Sequence, residues 1–104
     1  MDDFAESSMG FDMEHVRPFL EQVEASLSLG LPVDAMVAQV EQTEQQATSE
    51  TELTVSYDGE QVPMKFAAFM DDIDAPDLYF HVGSDALAEA IDAEMEKFCE
   101  ANDM

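Results

Sequence analysis

The chain has 104 residues and a formal net charge of −22 at neutral pH, with 25 acidic residues against three lysines and arginines. This charge disfavours direct binding to nucleic-acid phosphates or to anionic membranes, and it favours basic protein surfaces as partners. The hydrophobic content of 46% is enough for one packed domain and argues against wholesale disorder.

The first ten residues are polar and show no hydrophobic period. They predict a flexible acidic leader (1–10) ahead of a single α+β domain (11–104). The N-terminal segment lacks the basic and apolar regions of a signal peptide, and no apolar run approaches the ~20 residues that cross a bilayer. The single cysteine, Cys99, cannot form an internal disulfide. We therefore expect a cytoplasmic protein.

Two helices are predicted in the first half of the domain. Apolar residues recur at three- and four-residue spacing over 16–27 and again over 33–40. Pro18 places the regular start of the first helix near that residue, and Gly30 is a suitable C-terminal cap. The stripe then fades, so residues 41–50 are expected to form a fraying helix end and a linker.

From Thr51 the hydrophobic period changes to two, which indicates β-strands. Asp58-Gly59 is a strong signal for a hairpin turn, and a third strand is predicted over 78–82. Ser84 can cap a final helix. The predicted fold is α+β, with two N-terminal helices, a three-stranded antiparallel meander and a C-terminal helix packed on one sheet face.

A cluster of aspartates precedes the third predicted strand: Asp71, Asp72, Asp74 and Asp77. An EF-hand calcium loop requires glycine at its sixth position and glutamate at its twelfth. Counted from Asp72, these positions hold Asp77 and Gly83, so the match fails. We expect no metal site, only weak effects of calcium, and a solvated turn that reverses over 74–76. The aspartates would still add to a negative surface.

No catalytic motif is evident. The sequence has no glycine-rich phosphate loop, no CxxC and no HExxH, and neither His15 nor His81 stands in a recognisable catalytic context. Paired carboxylates carry little information in so acidic a chain. Cys99 is expected to be a buried or half-buried structural thiol. The sequence therefore predicts a protein that is not an enzyme and that needs no cofactor.

The last predicted helix carries acids at intervals of three or four residues, which places them on one face. They are Asp85, Glu89, Asp92, Glu96, Glu100 and Asp103. Like charges at these spacings repel by a few tenths of a kcal/mol each, and only Lys97 lies among them. Their rise of ~4.5–6 Å is wider than the ~3.4 Å phosphate spacing of one DNA strand, so several acidic faces together would be needed to match it.

The outer face of the predicted sheet is a second candidate surface. Phe69 and Tyr79 would form a small aromatic patch there, which suits a partner contact or the seam of a homodimer. In the alternative arrangement, part of an N-terminal helix covers this face.

Three interpretations of the charge remain open. The chain is predicted to be an inhibitor that occupies the basic nucleic-acid-binding surface of a partner, as a nucleic-acid mimic of the anti-restriction or anti-CRISPR kind. Such a protein would be steered electrostatically and then docked through aromatic and aliphatic residues. The second interpretation is an immunity protein or a small acidic secretion-type chaperone that holds one cognate protein. The third is the general surface acidity of a salt-loving organism.

Overall fold

The computed structural model describes residues 4–72 and 75–102. In chain order the elements are β1 (Ala5–Gly10), α1 (Met13–Leu27), α2 (Val33–Gln42), β2 (Thr48–Tyr57), β3 (Glu60–Asp72), β4 (Ala75–Val82) and α3 (Asp85–Asn102). The predicted α+β class is confirmed, but the sheet has four antiparallel strands instead of three. Within these residues, no helix has both the length and the apolar character needed to cross a membrane.

The fourth strand comes from the segment predicted as a leader. β1 pairs antiparallel with β4, beginning with Ala5 opposite Val82, and the sheet order is β1-β4-β3-β2. Ser7 is 2% exposed, and Ala5 and Met9 pack against the core on the same side. Every second residue of β1 is therefore turned toward the core. Because the central one is a serine, this alternation does not show as a pattern of hydrophobic residues.

One face of the sheet carries the core. Phe66 of β3 and Phe80 of β4 are buried there, with their ring centroids 5.2 Å apart. α3 packs against β1 and β4, α2 packs against β3, and α1 contacts both other helices. Phe19 of α1 joins the layers, because its ring lies 6.2 Å from Phe80 and 5.5 Å from Phe98 of α3. Each such buried ring contributes about 1.5–3 kcal/mol.

α1 begins earlier than predicted, at Met13, and Pro18 lies inside the helix. Proline lacks the amide that would bond to the carbonyl of Glu14, but the exposed position of Pro18 leaves that carbonyl open to water. The helix ends at Leu27, and its C-cap is Ser28, whose left-handed φ is 52°. The predicted cap, Gly30, is therefore wrong by two residues, although it too is left-handed with φ 80°.

The predicted hairpin turn is present, since Asp58 and Gly59 have φ values of 53° and 79° as a two-residue turn with both residues left-handed requires. β2 begins at Thr48 because its pairing with β3 continues to that residue, which shortens the predicted linker. β4 begins at Ala75, so Ala75 and Pro76 belong to a strand and not to the predicted reversal. β2 and β4 are thus each three residues longer at the N-terminal end than the alternating hydrophobic pattern predicted.

Candidate partner-binding surface

α3 carries a row of acids on the side away from the core. At about 100° per residue, the exposed acids between Asp85 and Glu100 fall within an arc of about 80° and span about 22 Å of helix. Leu87 and Phe98 are buried on the other side. The sixth predicted member, Asp103, lies outside the described residues. The acidic row of α3 consists of the five that are described and exposed: Asp85, Glu89, Asp92, Glu96 and Glu100.

Lys97 does not neutralise this row. Its Nζ lies 3.3 Å from Oε2 of Glu94, a carboxylate on the buried side of α3 that is 3% exposed. Arg17, on α1, is engaged in the same way, with Nη1 2.7 Å from Oδ1 of Asp34. Two of the three lysines and arginines therefore face acids outside the row, and the row keeps its charge.

Glu94 is the buried acid of α3, and it joins this helix to α1. Its Oε1 accepts a hydrogen bond from Nε2 of Gln22 at 2.9 Å. Burial raises the pKa of Glu94, but the hydrogen bonds from Gln22, Lys97 and Ser26 outweigh burial and lower the pKa below its ordinary value. A carboxyl with a lowered folded pKa stabilises the fold above its unfolded pKa. It loses that contribution as pH falls through the folded value.

We expect Glu94→Gln to lower the free energy of unfolding at neutral pH by about 1–3 kcal/mol, because the charge-assisted hydrogen bonds are lost. The difference from the unsubstituted chain should shrink as acid protonates Glu94. Urea unfolding at successive pH values measures this difference. Glu89→Gln, an exposed site on the same helix, should be neutral or slightly stabilising. A deficit in Glu94→Gln that stays constant on acidification would contradict the assigned role.

The C-terminal end of α3 is acidic where a helix favours cations. The last described turn of α3 has no basic residue, and it contains Glu100. The partial negative charge of a helix C-terminus makes such an acid unfavourable, and Glu96 repels Glu100 across one turn. The acidic row therefore costs stability at low ionic strength.

The fold should be stabilised by salt. The Debye length shrinks from ~10 Å at 0.1 M to ~3 Å at 1 M, which screens the repulsion within a chain of charge −22. We expect the melting temperature in potassium chloride to rise by roughly 5–15 °C over this range, which corresponds to about 1–2 kcal/mol for a domain of this size. A flat or falling melting temperature would mean that the repulsion is already relieved locally. Unfolding without molar salt would favour the salt-loving interpretation.

Asp92 differs from the other members of the row because it also holds β1 in place. Its Oδ1 accepts a hydrogen bond from Oγ of Ser7, and the same hydroxyl lies 3.4 Å from Sδ of Met95. The half-buried Cys99 makes a further contact between the two elements, with Sγ 3.3 Å from Sδ of Met9. Substitutions that probe binding by the row should therefore spare Asp92.

Three of the four aspartates near the third predicted strand lie on β3 and β4. Asp71 and Asp72 end β3, and Asp71 is exposed. Asp77 lies within β4, half-buried and opposite Phe69. Asp74 is outside the described residues. Asp71 adds charge to the exposed surface. Asp77 lies at a regular position of a paired strand and not in a loop built around a ligand.

A different group of side chains could supply ligands to a cation. Oxygen and nitrogen atoms of Asp12, Glu14 and His15 lie within 4.8 Å of one another at the start of α1. His15 is half-buried and stands edge-on to Phe98, with ring centroids 5.6 Å apart. Both carboxylates are exposed, as acids commonly are on a negative surface. Their spacing matches no familiar metal-binding motif, so the sequence did not predict this group.

The outer face of the sheet carries the predicted aromatic patch. Phe69 and Tyr79 are diagonal neighbours, because Ala67 lies opposite Tyr79 and Asp77 lies opposite Phe69. Both rings are half-buried. α1 and α2 belong to the core on the other face, so neither covers the patch as the alternative arrangement required.

Among the described residues, the basic side chains of the outer face form one row across the strands. Lys65 lies opposite His81, and Nε2 of His81 is 3.6 Å from Oε2 of Glu6 on β1. Glu52 of β2 lies opposite Lys65 on the other side. Acids therefore bracket both bases, and the outer face offers no extended basic surface within the described chain.

No protein-family model, curated protein or solved structure matches this chain. Its function is therefore inferred from the surfaces described above.

Proposed function

We propose that this chain is a small non-enzymatic inhibitor that occupies the basic, nucleic-acid-binding surface of a partner protein. The observation that carries this proposal is the acidic row of α3, which is exposed along about 22 Å of helix and is left without a cation by the Glu94–Lys97 pair. The protein would need no cofactor, and it would act in the cytoplasm.

Placement on a regular helix suits this role. The α3 backbone holds the carboxylates in a fixed order, with Leu87 and Phe98 anchoring the opposite side in the core. A basic groove that binds nucleic acid is attracted by such a linear array of negative charge, and the overall charge of −22 speeds the encounter. Because the row is sparser than a strand of phosphates, acids elsewhere on the surface would add to the contact.

The repulsion within the acidic row, which lowers the stability of the fold, supports a role in binding. Its members repel one another, and Glu100 opposes the helix dipole. Ordinary exposed helices relieve such repulsion with interspersed lysines, whereas the lysine of α3 is used for the buried Glu94. A charge pattern that weakens the fold and remains exposed is typical of an interaction surface.

A second candidate function rests on the outer sheet face. Phe69 and Tyr79 are half-buried on a sheet face that none of the described helices covers, which suits an immunity protein or a secretion-type chaperone that holds one cognate protein. The same face would serve as the seam of a homodimer. In this case the acids would steer the encounter, and the aromatic rings would supply most of the affinity.

Capture of partners from the source cells separates the two functions. The immobilised chain should retain nucleic-acid-binding proteins at about 0.1 M salt and release them by about 0.5 M, because the contact is mainly ionic. The matched control is a chain immobilised with Glu89→Lys and Glu96→Lys. Retention at high salt of one protein without a nucleic-acid-binding surface would contradict the inhibitor proposal and favour the second function.

A further inference from the structure

The free edge of β2 has a row of backbone groups that point away from the sheet. β2 is the last strand in the sheet order, and Tyr57 and Glu60 close its two-residue hairpin as a hydrogen-bonded pair. The backbone of Ser56, and of every second residue before it, therefore points outward. The Ser56 amide donates to the carbonyl of Leu29 at 3.0 Å. In the described chain, four further positions have no such backbone partner: Thr48, Glu50, Glu52 and Thr54.

A groove runs beside this edge on the core side of the sheet. It has a volume of about 530 Å³ and lies between α2 and β2, with apolar walls from Ala35, Ala38 and Leu53. Thr43 and Ser49 also line it, with Oγ1 of Thr43 2.7 Å from Oγ of Ser49. A strand added outside β2 would direct every second side chain into this groove.

The other side of the same edge is acidic. Glu50 and Glu52 are exposed on the outer face, where Glu52 lies opposite Lys65 but Glu50 lies opposite Ala67. Basic side chains on an added strand would stand about 4.5–5.5 Å from these acids, the usual cross-strand separation. A second copy of this chain would instead bring its own acids to the edge, so pairing between copies is disfavoured.

We propose that the β2 edge is a β-augmentation site for an extended, basic segment of a protein partner. The segment adds a fifth strand, with basic side chains on the outer face alternating with small apolar side chains that enter the groove under α2. This inference deepens the proposed function and rests on it for the charge of the partner. The acidic row attracts the partner, whereas the backbone groups of β2 fix its register.

A synthetic peptide tests the edge without knowledge of the natural partner. The probe has eight residues of alternating lysine and valine with blocked termini, and its control has the same composition with four lysines followed by four valines. We expect the alternating peptide to bind at least about 10-fold more tightly, because only its pattern matches the two sides of the edge. Amide exchange measured by NMR should slow at least about 10-fold at the four outward-facing positions.

Glu52→Pro is the decisive variant. The amide of residue 52 points away from β3, so proline removes an edge donor and leaves the β2–β3 ladder intact. It should abolish the preference for the alternating peptide. If this variant fails to fold, Glu50→Gln combined with Glu52→Gln keeps the backbone and should still weaken binding of the alternating peptide several-fold.

The edge site would be overturned by equal binding of both peptides, or by binding that leaves exchange at the four amides unchanged. Absence of binding would overturn it as well. These failures are distinguishable from failure of the proposed function, which depends on α3. If both peptides bind equally and Glu89→Lys/Glu96→Lys weakens both, the acidic row keeps its support while the edge site is rejected.

Discussion

Replacing Glu89 and Glu96 together by lysine is expected to weaken binding to the captured partner by at least about 30-fold. Both side chains are exposed on α3, and neither contributes to the bond between Asp92 and Ser7. Reversal removes the attraction and introduces repulsion against a basic groove, and a loss of about 2 kcal/mol corresponds to this factor. Surface-plasmon kinetics should show a slower on-rate as the main change, because the charges steer the encounter.

The same double substitution should stabilise the fold. Lysines at 89 and 96 alternate with the remaining acids of the row, so each like-charge neighbour at three- or four-residue spacing becomes an opposite-charge neighbour. Each pair is worth a few tenths of a kcal/mol, and together they should raise the free energy of unfolding by roughly 1–2 kcal/mol at low salt. Weaker binding in a more stable protein cannot be attributed to unfolding.

Two controls complete this prediction. Glu44→Lys with Glu60→Lys makes the same change in net charge at exposed positions outside α3, and it should reduce affinity only a few-fold. Phe69→Ala with Tyr79→Ala probes the outer sheet face. A large loss from the aromatic truncations, with equal small losses from both charge reversals, would reject the acidic row as the docking surface and favour the chaperone or immunity function.

Removal of residues 1–10 is expected to destabilise the fold by about 3–6 kcal/mol. β1 contributes a ladder of backbone hydrogen bonds to β4, each worth about 0.5–1.5 kcal/mol, and the buried Ser7 binds Asp92. Its loss also uncovers an edge of β4. Chemical unfolding followed by circular dichroism measures the change, and the expected loss is a large part of the stability of an ordinary domain.

If residues 1–10 were a flexible leader, their deletion would not lower the free energy of unfolding. Residues 1–10 contain three acids, so their removal from a disordered segment would relieve repulsion and leave stability unchanged or slightly improved. Ser8→Ala, at an exposed position of β1, is the control and should have little effect. A truncated chain that unfolds at the same denaturant concentration as the full chain would show that β1 does not stabilise the fold.

The sequence predicted the elements that are determined by residues close together in the chain, such as turns and amphipathic helices. The Asp58-Gly59 turn requires two left-handed residues, and this dipeptide is well suited to them. The apolar stripe of α3 was likewise visible from spacing, because Leu87, Ile91 and Phe98 are separated by four and seven residues and all are buried.

β1 could not be predicted in the same way. Its partner, β4, lies some 70 residues later in the chain, and no local pattern shows such a pairing. Ser7 occupies the buried centre because a distant carboxylate, that of Asp92, accepts its hydrogen bond. A polar residue with such a partner is compatible with the core, but the partner is visible only in the folded chain.

Glu94 was missed although the sequence contained a signal. Three residues after Ile91 and four before Phe98, it falls on the apolar stripe of α3, where an acid is exceptional. Its burial depends on Gln22 and Lys97, and only the packing of α1 against α3 brings Gln22 within 2.9 Å. The helical position was predictable, but the compensating donor on another helix was not.

Displacement of nucleic acid from the partner tests the central claim most directly. A fluorescently labelled duplex is bound to the captured partner, and its anisotropy is followed as the acidic chain is added. We predict complete displacement by the unsubstituted chain, with at least about 10-fold more of the Glu89→Lys/Glu96→Lys variant required for the same effect. Binding of the chain to the partner while the duplex stays bound would contradict the claim that the acidic row of α3 occupies the nucleic-acid-binding surface.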